Sequence, residues 1–352
     1  MRRADTLIVG GGPAGAAAAI LLAQGGQRPM LFERKREAAG IVCGGFLGWD
    51  ALAALRALGV EPAALGAVPI DHVRLIAGRV RAEAPLPFPA AGLSRAVLDE
   101  ALLALAAGTG ATIVRGVPVR RVEGQEVELG GGERVSAERI VLATGKYNLR
   151  GVERPVADGA VGFRAVVPAP AGLAGWIELH LFRGGYAGLL VQEDGCANLC
   201  LSVEAARLRQ AGGTIAGLLT VLRDEAPGVF VLGEPVAHWD AIAGVPYGWT
   251  TGTTETGLYR VGDQAAVIAS LAGDGIAVAL ASGRAAARAI LGGEDAARFQ
   301  ARFADRARPP IARAETLRRI AQAPAIGRPA IGLLARLPML TRLAGRLTRI
   351  GH

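Results

Sequence analysis

Lysine is nearly missing from this sequence. It occurs at Lys35 and Lys146 only, against 37 arginines. With 50 glycines and a heavy alanine load, this reads as compositional bias of the coding DNA. Cysteine is also scarce. Cys43, Cys196 and Cys200 make no even framework, which suits a reducing, cytoplasmic compartment and excludes a disulfide scaffold. Aromatic residues are only 5% of the chain. No run of 18 apolar residues is free of charge or glycine, so no transmembrane helix is expected. A strand begins by residue six, which leaves no room for a signal peptide. His72, His180 and His238 share no ligand spacing, so no metal site is expected. A nucleophile elbow is absent as well.

The net charge of +8 is uneven. Residues 298–352 hold twelve arginines and two acids, a net of +10, so the preceding 297 residues sum to −2. The basic character belongs to the tail. No zinc spacing, helix-turn-helix signature or aromatic-interleaved basic strand points to nucleic acid.

What the sequence does have stands at its start. Thr6–Val9 is a short apolar strand running into Gly10, Gly12 and Gly15 at GxGxxG spacing. An alanine-rich helix follows, then a second apolar run ending in Glu33. This order of strand, glycines, helix, strand and acid is a βαβ unit that holds a dinucleotide diphosphate. Gly10 makes the turn, Gly12 admits the phosphates, and Gly15 lets helix and strand pack closely. The helix N-terminus offers free N–H groups to the anion. Glu33 falls 18 residues after Gly15, where an acid receives the adenosine ribose hydroxyls.

Further along, a helix is predicted over Leu93–Ala107 with Ser94 as N-cap. A small β meander follows, and Ile140–Leu142 rejoins the parallel sheet. The stretch Val161–Val203 alternates as a sheet. Residues 204–224 read as helix and Val229–Gly244 as strand. Leu258–Val261 is a strand before a glycine loop and a small-residue helix. The last 55 residues read as helix broken by Pro309-Pro310, Pro324, Pro329 and Pro338. The expected fold is α/β. A Rossmann-like domain would be built from 1–68, 94–155 and 255–297. An antiparallel substrate sheet would come from 69–93 and 156–254, and a basic helical region from 298–352.

Four segments resemble the flavoprotein class of p-hydroxybenzoate hydroxylase-like monooxygenases and geranylgeranyl reductases. They are GGGPAG with Glu33, VCGG at Val42–Gly45, LSRAVLDEALL at Leu93–Leu103, and VGDQAAVIASLAGDGIAVALASG at Val261–Gly283. The resemblance implies bound FAD. It places Gly10, Gly12, Pro13, Ala14, Gly15, Glu33 and Arg34 at the adenosine diphosphate. Arg95 would reach the diphosphate or ribityl chain, and Val119, Thr144 and Gly145 the adenine end. Gly262 and Asp263 would meet the ribityl chain. Gly273, Gly275 and Ile276 would bring a helix N-terminus to the flavin, beside Cys43 and Gly44.

The relatives' DGxxSxxR segment is replaced here by ATGKYNLRG, and only one dinucleotide fingerprint exists. NAD(P)H would therefore act as a transient reductant. The inserted sheet would roof the flavin and bind an apolar small molecule. By alternation and resemblance its lining is Phe163, Arg164, Leu179, Phe182, Tyr186, Leu189 and Trp239, with Lys146 and Arg164 nearest to any acidic group. Geranylgeranyl reductases carry YxWxFP on this sheet and flavin halogenases WxWxIP; neither is present. GGYAGL before an NLC strand is most similar to flavin oxygenases found beside polyketide synthases. The expected activity is a monooxygenase acting on an aromatic or polyketide-like molecule in secondary metabolism. A reductase of isoprenoid or quinone double bonds, or a non-redox flavoprotein, are the alternatives. Leu343, Leu347 and Ile350 recur beside Arg342, Arg346 and Arg349, so the tail is expected either to lid the pocket or to touch a membrane surface.

Overall fold

The computed structural model describes residues 2–37, 40–154, 159–227, 235–236 and 238–323, with 329, 331 and 333. The chain opens with β1 (Arg2–Val9), α1 (Pro13–Gln24) and β2 (Met30–Glu33). β3 (Phe46–Leu47), α2 (Trp49–Arg56) and the hairpin β4 (Val68–Ala77)–β5 (Val80–Gly92) follow. Helix α3 (Arg95–Gly108) leads to β6 (Thr112–Arg115) and a meander, β7 (Val119–Glu123), β8 (Glu126–Leu129) and β9 (Arg134–Leu142). Ser94 caps α3, its side chain accepting from the Val97 N–H, as expected.

A second excursion gives β10 (Ala160–Val167), β11 (Gly175–Phe182), β12 (Gly185–Val191) and β13 (Ala197–Glu204). Helices α4 (Ala205–Gln210) and α5 (Ile215–Glu225) and strand β14 (Asp240–Val245) complete it. The strand expected over Val229–Gly244 falls partly outside the described residues. The chain returns through β15 (Leu258–Arg260), α6 (Gly275–Leu291) and α7 (Ala296–Gln322).

Two sheets result. The first runs β6-β2-β1-β9-β8-β7, with β15 also on β9. Its β6, β2, β1, β9 and β15 are parallel. The second runs β14-β10-β13-β12-β11-β4-β5-β3. It is antiparallel except that β4 and β11 pair in parallel, because the two excursions enter it separately.

Helix α1 is buried on nearly every side, which its alanines permit. It packs between the first sheet, α3 and α6. A Cβ at Gly283 of α6 would stand 2.1 Å from the Ala14 carbonyl oxygen, so small residues set this close crossing. Helix α7 runs unbroken through Pro309 and Pro310, against the expected interruption. Pro310, Ile311 and Ala314 are buried, so tertiary packing offsets the lost backbone hydrogen bonds. Pro324 and Pro338, and the tail stripe at Leu343, Leu347 and Ile350, lie outside the described residues. Among the described residues no helix is long and apolar enough to cross a membrane.

Candidate functional site

The C-terminal ends of β1, β2, β9 and β15 converge on one cavity of about 850 Å³ beneath the second sheet. The β1–α1 turn forms its floor. Gly10 has φ +107°, and a Cβ there would stand 2.5 Å from the Ala143 carbonyl oxygen. A Cβ at Gly15 would stand 2.0 Å from the Gly10 carbonyl oxygen, so only glycine keeps α1 on β1. α1 starts at Pro13 with no side-chain cap and no acid in its first turn, which leaves its N-terminal N–H groups open to an anion.

Arg95 faces this turn. Its Nη2 is the atom nearest to where a Gly12 side chain would stand, at 3.1 Å. The guanidinium donates to both Asp99 oxygens, at 2.8 and 2.7 Å. Burial favours the neutral forms of this pair, but the bidentate contact holds Arg95 charged and raises its pKa. On the other side, Glu33 accepts from the Gly11 N–H at 2.7 Å and the Lys35 N–H at 2.9 Å. The Arg34 guanidinium lies 3.7 Å above the Tyr147 ring centroid.

The β9 loop is pinned from within. The Gly145 and Tyr147 carbonyls accept from Gln264 Nε2 at 2.8 and 2.9 Å. Arg154 is 3% exposed and donates to the Asp263 and Lys146 carbonyls at 2.6 and 2.8 Å. These bonds lock the β9 and β15 loops together and set Lys146 Nζ 3.5 Å from Asp263 Oδ2. Burial lowers the Lys146 pKa, but Asp263, Cys43 and Tyr247 outweigh it and the net shift is upward.

The cavity collects Gly10, Gly12, Pro13, Ala14, Glu33, Arg34, Cys43, Gly44, Arg95 and Val119. Thr144, Gly145, Lys146, Gly262, Asp263, Gly273, Gly275 and Ile276 join them. Gly15 lies behind its floor.

The roof departs from the expected lining. Leu179 and Tyr186 face the cavity. Phe163, Phe182 and Leu189 do not: they are buried on the opposite face, against Leu208, Leu218 and Leu222. Trp239 packs at the edge of that same cluster. Both faces of these strands are buried, so apolar residues occur at both parities and alternation cannot choose between them. Arg164 is a clamp. Its Nε donates to Asn198 Oδ1 at 2.7 Å and its Nη1 to Asp240 Oδ2 at 3.3 Å. Asn198 Nδ2 in turn donates to the Cys43 and Gly44 carbonyls at 3.0 and 2.8 Å, fixing that loop under the roof.

Several lining residues were not foreseen. Ile177, Leu181, Cys200 and Ser202 come from the roof, and Leu317 and Ile320 from α7. Burial pushes the Cys200 thiol up to about 12. The Tyr186 hydroxyl donates to Ser270 Oγ at 2.6 Å, and burial keeps it protonated. Tyr247 lies 2.5 Å from the same Ser270 oxygen and 3.2 Å from Ser202 Oγ. Tyr247 sits in a turn and Ser270 opens a single 3-10 turn, Ser270–Ala272, neither with any periodicity, so nothing in the sequence marked them.

Residues 3–124 match a family model described as "FAD binding domain". That part of the chain is an FAD-binding domain. Its residues fit FAD: an open helix N-terminus with an arginine at Gly12, a backbone-held acid at Glu33, and one continuous cavity from there to the N-terminus of α6. The chain is 28% identical over 320 residues to a menaquinone reductase of Mycolicibacterium smegmatis, covering 83% of this chain and 77% of the relative. Its fold is similar to that of the flavin-dependent brominase Bmp2, with TM-score 0.79, 16% identity, and coverage of 98% and 93% of the two chains. It is also similar to PqsL of Pseudomonas aeruginosa, described as a probable FAD-dependent monooxygenase, with TM-score 0.74, 17% identity, and coverage of 94% and 100%. The whole chain shares the fold of these two flavin-dependent proteins.

Proposed function

We propose that this protein is an FAD-dependent monooxygenase that hydroxylates a largely apolar aromatic or polyketide-like small molecule, with NAD(P)H as transient reductant. The observation that carries the reading is the make-up of the cavity. It continues from the FAD cradle into a chamber walled by Val73, Leu75, Ile177, Leu179, Leu181, Leu317 and Ile320, broken by one hydroxyl cluster at Tyr186, Ser202, Tyr247 and Ser270. When bound, FAD supplies the redox and oxygen-transfer chemistry. The aliphatic walls exclude water, and each apolar side chain buried by substrate contributes roughly 25 cal/mol per Å². The hydroxyl cluster offers donors and acceptors to one substrate oxygen and so orients the ring. Tyr186 is neutral there, donates its proton to Ser270 and leaves its oxygen as an acceptor.

The menaquinone reductase relative favours a second reading, reduction of an isoprenoid or quinone double bond in the same chamber. The enzyme would work in the cytoplasm, its arginine-rich C-terminal region touching anionic membrane where an apolar substrate is taken up. Oxygen consumption with the product mass separates the two. FAD-loaded protein is given NADH or NADPH and a panel of alkylphenols and isoprenoid quinones. Substrate-stimulated oxygen uptake with gain of one oxygen atom supports the monooxygenase. Gain of two hydrogen atoms without oxygen uptake overturns it for the reductase.

A further inference from the structure

The roof holds one strand glycine that the fold does not explain. Glycine weakens a strand interior, and it is kept where the strand bulges or bends, or where another backbone or a ligand comes close. Gly175 and Gly244 have φ of +84° and +72°, which favour glycine. A Cβ at Gly92 would stand 2.2 Å from the Val191 carbonyl oxygen, at Gly185 2.5 Å from the Ser202 carbonyl oxygen, and at Gly162 2.9 Å from Val42 Cγ1. Gly188 is different. It lies in the middle of β12, outside the left-handed region, and pairs in unbroken register with Leu179 of β11 and Cys200 of β13. A Cβ there would meet Leu179 Cδ2 at 3.3 Å and Tyr186 Cε2 at 3.8 Å. Among the described residues no other atom beyond its chain neighbours comes within 4 Å of that point. The Leu179 side chain faces the cavity and can give way. The fold therefore has room for a side chain that the sequence omits.

That room opens into the chamber. Leu75, Leu179, Gly188 and Cys200 form one row across β4, β11, β12 and β13, and all four line the cavity. Between two side chains, Gly188 is a dent in the row. Tyr186 stands two residues back on the same face of β12. Its ring edge borders the dent, while its hydroxyl donates to Ser270 Oγ at 2.6 Å. A substrate oxygen bonded to this hydroxyl cluster sets the body of its ring against the dent. We propose that Gly188 is a specificity-determining residue: the recess it leaves in the roof admits the second ring of a flat, fused-ring phenol whose oxygen meets Tyr186 and Ser270. The proposal rests on the chamber being the substrate site.

The test is equilibrium dialysis of FAD-loaded protein, without reductant, against phenol and 2-naphthol. Gly188→Ala should weaken 2-naphthol binding about tenfold, as overpacking a close contact does, and leave phenol within about threefold of the parent. Gly188→Val should weaken 2-naphthol about a hundredfold or more. The melting temperature of FAD-loaded Gly188→Ala should hold or rise, because alanine at an allowed φ has fewer unfolded conformations to lose. A Gly188→Ala protein that melts lower or does not fold overturns the proposal, since the glycine would then serve the fold. Equal loss of phenol and 2-naphthol overturns it too. A parent that binds neither ligand overturns the chamber as the substrate site, and the recess with it. A parent that binds both, with Gly188→Ala indifferent, overturns the recess alone.

Discussion

Replacing Arg95 by Met breaks the buried pair beside the Gly12 turn. The two side chains are 13% and 9% exposed and share two short hydrogen bonds. Without the guanidinium, Asp99 must stay ionised in a poor solvent or take up a proton. Protonation sets the ceiling: about three pH units from an ordinary aspartate value to pH 7, at 1.36 kcal/mol each, is ~4 kcal/mol. Breaking buried pairs costs about 3–5 kcal/mol, in agreement.

The sign with pH follows. Burial already raises the Asp99 pKa against the pull of Arg95, and without that arginine the upward shift grows, so in the variant the folded pKa lies further above the unfolded one. Stability is then fully present below the unfolded value near 4 and is lost as pH rises through the folded value. Urea unfolding of FAD-stripped protein should show a deficit of about 3–4 kcal/mol at pH 7 that shrinks toward pH 4. Arg95→Met with Asp99→Leu should recover most of it, because no charge is left behind. A deficit under 1 kcal/mol at pH 7, or one untouched by the second substitution, would refute a buried, charged pair.

Heat-denatured protein should release its FAD into the supernatant; colour that stays with the precipitate would mean covalent attachment. Asp263→Ala should weaken FAD binding tenfold or more in a fluorescence titration, since a charge-assisted hydrogen bond is worth about 1.5–3 kcal/mol; full retention would remove Asp263 from the site. Gly15→Val should abolish FAD binding, because its side chain cannot avoid the Gly10 carbonyl; a yellow variant would contradict the packing. Leu189→Ala should cost about 2–5 kcal/mol of stability and spare turnover of the folded enzyme, whereas Leu179→Ala should raise KM with little loss of stability. The reverse pattern in melting and kinetics would mean the roof is inverted.

The glycine turn at one end of the cavity was legible in the sequence because local chain chemistry dictates it. Gly10 must take a positive φ, Gly15 must lack a side chain, and Glu33 must follow one helix later; these demands are written in consecutive residues. The resemblance of the segment at Gly262-Asp263 extended the reading across the interleaved chain. The substrate half was only partly legible. Leu179 and Tyr186 face the chamber, but Phe163, Phe182 and Leu189 belong to the core beneath α4 and α5. Which face of β10–β13 meets the flavin side depends on what packs on each, and strands buried on both sides carry no mark of it. Arg164 likewise looked like a substrate cation and proved to be a clamp, because β13 and β14, which flank its strand in the sheet, bring Asn198 and Asp240 to it from 34 and 76 residues along the chain. Tyr247, Ser270 and Arg154 stand in connecting segments whose positions exist only after both sheets are assembled. The sequence by itself determined the glycine turn between β1 and α1, since a tight turn is a local steric problem. The tertiary structure decided the chamber, since its walls run from Val73 to Ile320 and meet only when both sheets and α7 are assembled.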